Sequence, residues 1–302
     1  VSDMPIRETR VVSKTSTRAD ETFLDRIAHR WAVTVRWGWC VAILAVLVAS
    51  APAAAASLTD GWSAYQRGDF ARAMAVWRPL AEAGDARAQF NLGTLYDEGC
   101  GVDVDRRRAV HWWSRAANQG HARAQHNVAL SYMAGDGVAR DYTRTLEWLE
   151  KAADQGLARS QYTLGKMYAD GVGVDKDPAL AARWISAAAK AGFARAQYNM
   201  GKMSRDGLGV DKDIEAAAQW FLAAAEQGHT GAQHHIGVRL ARGEGVAMDR
   251  VEALKWMVLA ADAGHPLAPE RRDKLAAELS AEERAEAERR AAQWRPTTSE
   301  NQ

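Results

Sequence analysis

Apolar positions in this chain recur every three or four residues, and no stretch alternates apolar with polar residues as a half-buried strand would. Over residues 86–97, Ala88, Leu92, Leu95 and Tyr96 fall at i, i+4, i+7 and i+8, one face of a helix. The small Gly93 on that face lets a neighbouring helix come close. A Gly-x-Gly-Val loop follows, and glycine tolerates the left-handed backbone that ends a helix. Asp105 is then placed to cap a second helix by accepting from amides otherwise left unpaired. At the matching place downstream stands Asp177-Pro178, and proline suits the first helical position. The second helix is predicted to bury Ala109, Trp112 and Ala116 and to stop where Gly120 takes positive φ.

The pattern repeats with a period of 36 residues. Gln89, Gln125, Gln161, Gln197 and Gln233 keep that spacing without an insertion. So do Gly99, Gly135, Gly171, Gly207 and Gly243, the capping aspartates Asp105, Asp141, Asp177, Asp213 and Asp249, and Trp112, Trp148, Trp184, Trp220 and Trp256. A helical hairpin cannot bury its apolar face alone and must stack on its neighbours. The predicted fold is therefore all-α, a right-handed α-solenoid of stacked helix-turn-helix repeats. Five repeats span 85–264, a tighter hairpin containing Trp62, Phe70 and Trp77 occupies 57–84, and capping helices with a tail occupy 265–302. Within the last of these segments, Ser280-Ala281-Glu282-Glu283 reads as a capping box that opens a charged helix to about Trp294.

Residues 1–56 read as an address. Arg36, the apolar run Trp37–Val48 and the small residues ending at Ala56 have the order of a secretory signal peptide cleaved near Ala56, which predicts a periplasmic or secreted protein. The competing reading is an uncleaved anchor in the inner membrane, since Trp37–Leu58 is long enough to span a bilayer, although Pro52 and the alanine run weaken it.

Charge and cysteines narrow the function. The 302 residues carry 39 Lys plus Arg against 38 Asp plus Glu, without the basic field of a nucleic-acid binder. Arg106-Arg107-Arg108 is a single turn and reads as a solvated face. Of the two cysteines, Cys40 lies in the apolar leader. Cys100 alone excludes an internal disulfide or a cysteine zinc site downstream, and reads as a spare loop residue.

The Ala86–Tyr96 run continuing to Gly120 resembles a Sel1-like repeat, whose pattern A-x-A-Q-x-x-L-G-x-x-Y-x-x-G-x-G-V, then A-x-x-W-x-x-x-A-A-x-x-G, is matched nearly in full over 85–264. Residues 57–84 resemble the related tetratricopeptide hairpin. Departures are Ala129 for the glycine, Thr145 for the second-helix alanine, and Ser204 and Leu240 for the tyrosine. The resemblance implies a non-enzymatic adaptor of the bacterial envelope that binds protein or peptide, regulating signalling, export or envelope assembly. The alternative it carries is a wall- or β-lactam-interacting hydrolase, but the paired cysteines of the β-lactam-binding branch are missing.

No catalytic residue, metal site or cofactor is expected, because no nucleophile–base arrangement, phosphate loop or H-E-x-x-H is present. His126 and His234 share a column with Phe90, Tyr162 and Tyr198, so packing explains them, while His121, His229 and His265 open their units. The tryptophan column reads as core; Trp113 is off-register and its contact role is left open. The expected binding surface is the outer stripe of the first helices, lining a concave groove. It comprises Arg87, Arg123, Arg159 and Arg195, then Asn91, Asn127 and Asn199 one turn later, then Lys166 and Lys202. The competing reading of this stripe is a solvated or internally paired face.

Overall fold

The computed structural model describes residues 57–297. The predicted leader and anchor fall outside the described residues, and Leu58 onward forms a unit of its own. Fourteen helices and no strand occur among the described residues. The hairpin α1 (Leu58–Gln66) and α2 (Phe70–Glu82) leads into five hairpins. These are α3 (Ala86–Glu98) with α4 (Arg106–Asn118), α5 (Ala122–Ala134) with α6 (Tyr142–Asp154), α7 (Ala158–Asp170) with α8 (Pro178–Lys190), α9 (Ala194–Asp206) with α10 (Ile214–Glu226), and α11 (Thr230–Arg242) with α12 (Arg250–Asp262). Two further helices, α13 (Ala268–Ala277) and α14 (Ala281–Gln293), close the stack against α12. From α1 to α13 each helix packs on the next in chain order, so apolar burial runs continuously from one hairpin to its neighbour.

The helix ends follow the residues that predict them. The five aspartates each accept from the backbone amide three residues on, as Asp105 does from Arg108 at 2.9 Å. Ser280 and Glu283 form the expected capping box. The two glycines of each Gly-x-Gly loop have separate duties. The first is the left-handed C-cap. The second also has positive φ, and a Cβ there would strike the start of the preceding second helix: on Gly209 it would lie 1.9 Å from the Pro178 carbonyl oxygen, on Gly137 2.4 Å from that of Arg106. The second glycine therefore sets how closely successive hairpins approach.

The core register differs by one residue from the sequence expectation. Trp113 is 2% exposed and donates its indole N–H to the Phe90 carbonyl at 3.2 Å, whereas Trp112 is only half-buried. The innermost column runs Trp77, Trp113, Leu149, Ile185, Phe221, Met257, all buried. It packs into the glycine column, where a Cβ on Gly93 would lie 2.5 Å from the Trp113 ring. Trp148, Trp184 and Trp220 are half-buried at the edge of the core, and Trp256 alone of its column is buried. The recurring tryptophan marks the rim of each seam, and the variable residue beside it fills the centre. The departures are absorbed: Thr145 is fully buried with its hydroxyl donating to the Asp141 carbonyl.

Candidate interaction site

The predicted ladder lies on α3, α5, α7 and α9. Arg87, Arg123, Arg159 and Arg195 each occupy the second position of their helix, with Arg123, Arg159 and Arg195 exposed and Arg87 half-buried. The guanidinium groups of Arg87, Arg123 and Arg159 make no hydrogen bond or ion pair among the described residues. A cation in a first helical turn opposes the helix dipole by roughly 0.3–1 kcal/mol. Helix stability therefore does not explain why arginine recurs there. Further along, the polar groups are partly engaged. Asn199 donates to the Tyr162 hydroxyl at 2.9 Å and to the Arg195 carbonyl at 3.0 Å. Lys166 pairs with Asp170 at 3.0 Å, and the Lys202 ammonium lies 5.7 Å from the centre of the Tyr198 ring. Asn91 and Asn127 are half-buried one turn from their arginines.

Beside the ladder, the glutamine column ties hairpin to hairpin. Each of the five donates to an alanine carbonyl eight residues back, as Gln89 does to Ala81 at 2.9 Å. In three units a second glutamine closes the pair: Gln119, Gln155 and Gln227 donate at 2.7 Å to the side-chain oxygens of Gln89, Gln125 and Gln197. The matching positions beside Gln161 and Gln233 are Ala191 and Ala263, and the Oε1 atoms of Gln161 and Gln233 are buried without a partner.

The histidines pack and cap. Nδ1 of His121 and of His229 accepts from an amide of its own first turn at 3.2 Å, a capping role that the sequence reading missed. Their rings stack on Phe90 and Tyr198 of the unit before, with centroids 4.7 and 4.3 Å apart. The 31-residue offset between the aromatic column and the unit openers was the available signal. Deeper in the fifth repeat, His234 stacks on His265 at 4.1 Å with both ring nitrogens unpartnered. His235 stacks on Phe221, and the buried guanidinium of Arg239 lies 4.7 Å from the centre of the same ring. Burial pushes His229 and His234 down to about 4 and His235 to about 3, with the neighbouring His234, Arg205 and Arg239 adding to the effect on His235.

Other chemistry is sparse. Cys100 donates weakly to Glu98 at 3.8 Å, and burial together with that carboxylate raises its pKa, so the thiolate is disfavoured. No group of three His, Cys, Asp or Glu side chains able to hold a metal occurs among the described residues.

Stacked 36-residue helical hairpins with a recurrent polar face define an α-solenoid repeat protein. More particularly, the chain belongs to the Sel1 repeat family, whose profile matches five consecutive units at 86–121, 122–157, 158–193, 194–229 and 230–265. The fold is similar to that of c5321, a protective antigen of uropathogenic Escherichia coli with an SLR fold, at 32% identity and TM-score 0.69 over 78% of this chain. The chain spans about half of that structure, 52% of its length. It is also similar to a Sel1 repeat protein from Oxalobacter formigenes, at 32% identity and TM-score 0.64, covering 70% of this chain and 87% of that one. Among curated proteins none matches. Sel1 repeat proteins generally mediate protein–protein interaction, and the scaffold is generally non-enzymatic.

Proposed function

We propose that this protein is a non-enzymatic adaptor of the bacterial cell envelope that captures a peptide or protein segment along the first-helix ladder. The observation that carries this reading is the recurrence, every 36 residues, of arginines in a dipole-opposed position, three of them without an internal partner. Forked guanidinium donors suit carboxylates and backbone carbonyls of a bound segment, and asparagine one turn on offers both a donor and an acceptor. The intervals between units let an extended ligand meet several rungs at once, which multiplies weak contacts into useful affinity. Export through the leader ending near Ala56 places this activity in the periplasm or outside the cell, or on the inner membrane if the leader is retained.

A crosslinking pull-down from envelope extract tests the reading, with the wild type compared with Arg123→Glu/Arg159→Glu. Both arginines are exposed, so folding should be unchanged while a specific set of captured proteins is lost. An identical captured set from both proteins refutes the ladder as the binding face.

A further inference from the structure

Past α14, residues 294–297 leave the helix and cross the second helices of the last two repeats. The Trp294 ring meets Trp256 of α12 edge-on, with ring centroids 6.0 Å apart. The Thr297 amide and hydroxyl both donate to the Glu226 carbonyl at the end of α10, at 2.8 and 3.1 Å. Between these contacts the segment passes over Gly228, where a Cβ would lie 3.6 Å from the Trp294 ring and 3.7 Å from Pro296.

The segment is an incomplete cover. A cavity of about 470 Å³ remains between it and Leu222, Ile236, Leu240 and Trp256. Two of these residues set this place apart from the earlier repeats. Leu240 stands where the first three carry Tyr96, Tyr132 and Tyr168, and Leu222 where they carry Ser114, Glu150 and Ser186. The lining has thus become both roomier and more apolar. Trp256 is 2% exposed, yet its indole N–H has no acceptor among the described residues. The segment is also lightly held. Residues 295–297 are exposed, and the Arg295 guanidinium bonds the Ala292 and Trp294 carbonyls, inside the tail itself. By contrast, α14 is tied to α12 by the Arg290–Glu252 ion pair at 3.2 Å. A segment fixed by one ring contact and one carbonyl opens locally while the helices stay in place.

We infer that residues 294–297 are a displaceable strap over a docking groove, and that the groove takes an extended segment of another protein with the strap's own pattern. That pattern is an aromatic side chain and, three residues on, an unpaired backbone amide. The aromatic takes the Trp294 place on Trp256, and the amide takes the Thr297 place on the Glu226 carbonyl. A ligand with apolar bulk beside its aromatic fills the space that the strap leaves empty, and a carbonyl brought to the Trp256 indole satisfies it. Both gains favour the ligand over the strap. The strap competes from within the same molecule, so a partial match does not displace it. None of the ladder residues lines this groove, so either reading can fail alone.

Fluorescence anisotropy with the full chain and a fluorescein-labelled peptide of residues 291–297, blocked at both ends, tests it. Trp294→Ala in the chain opens the strap, and this variant should bind the peptide about tenfold more tightly than the wild type. Thr297→Pro removes both donors to Glu226 but keeps α14 and Trp294, and should bind it about threefold more tightly. A peptide that itself carries Trp294→Ala should bind the opened chain about tenfold more weakly. Leu222→Ser, which restores the serine of the first and third repeats, should weaken binding to the opened chain about threefold. With circular dichroism showing each variant folded, the inference is overturned if the opened chain does not bind the peptide or if the wild type binds it as tightly. It is equally overturned if neither the loss of the peptide's tryptophan nor Leu222→Ser weakens binding. A wild-type chain that sediments as a dimer while Trp294→Ala sediments as a monomer would assign the groove to a second copy and also overturn it.

Discussion

The incomplete glutamine pairs allow a stabilisation to be worked out from geometry. Gln161 and Gln233 each bury a side-chain oxygen without a partner, and the residues that satisfy it in sister units are alanines here, Ala191 and Ala263. Ala191 has φ −74° and ψ 4°, Gln155 has φ −78° and ψ 3°, so the backbone is already set for the missing side chain. Ala191→Gln should therefore donate to Gln161 as Gln155 donates to Gln125 at 2.7 Å. A net hydrogen bond contributes about 0.5–1.5 kcal/mol, and relieving a buried unpaired acceptor pushes toward the top of that range. Ordering the new side chain offsets part of the gain, leaving about 1 kcal/mol per site, or about 2–4 °C in Tm for a domain of this size. Repeat arrays can unfold unit by unit, so chemical denaturation should be accompanied by amide exchange in α7 and α8. The control is Ala191→Gln in a Gln161→Met background, where the acceptor is gone and the gain should disappear. An equal gain in both backgrounds, or no gain in either, refutes the pairing argument.

Other consequences are measurable by the same means. Trp113→Ala should cost about 3–5 kcal/mol because it empties the seat on Gly93, while Trp112→Ala at the half-buried rim should cost about 1–2 kcal/mol; equal losses in urea titrations would contradict the register described above. His229, His234 and His235 have folded pKa values below that of an unfolded histidine, so the unfolded chain takes up more protons below about 6.5. Stability should accordingly be full above pH 7 and fall as pH drops from 6.5 toward 4, at up to about 1.4 kcal/mol per pH unit for each histidine. The facing groups Arg205, Arg239, His265 and Arg271 add like charge, and amide exchange at pH 5 should accelerate first in α11 and α13; uniform exchange along the stack would overturn this.

Much of the organisation was legible in the chain because each repeat states it again. Caps, loop glycines and the 36-residue period are local rules, set by which residues satisfy unpaired amides or adopt positive φ, and five copies average out any one substitution. The pairing of a unit with its neighbour was less legible. His121 capping its own helix while stacking on Phe90, or Gly209 making room for Pro178, requires knowing which residues from different hairpins meet. The first-helix ladder was likewise visible as a column of like residues, but not that Asn199 and Lys166 have internal partners while Arg87, Arg123 and Arg159 do not.

The sequence by itself determined the helices, their boundaries, the period and the family, since these follow from periodicity and capping along the chain. Tertiary structure decided that Trp113 and not Trp112 fills the seam, that Trp294 returns to cover Trp256, and that Gln161 and Gln233 lack a mate. The physical reason is rotation and reach. A step of one residue turns a side chain by about 100° around a helix, so adjacent tryptophans face different neighbours. Which of them is enclosed depends on how closely the facing glycine lets the next helix approach.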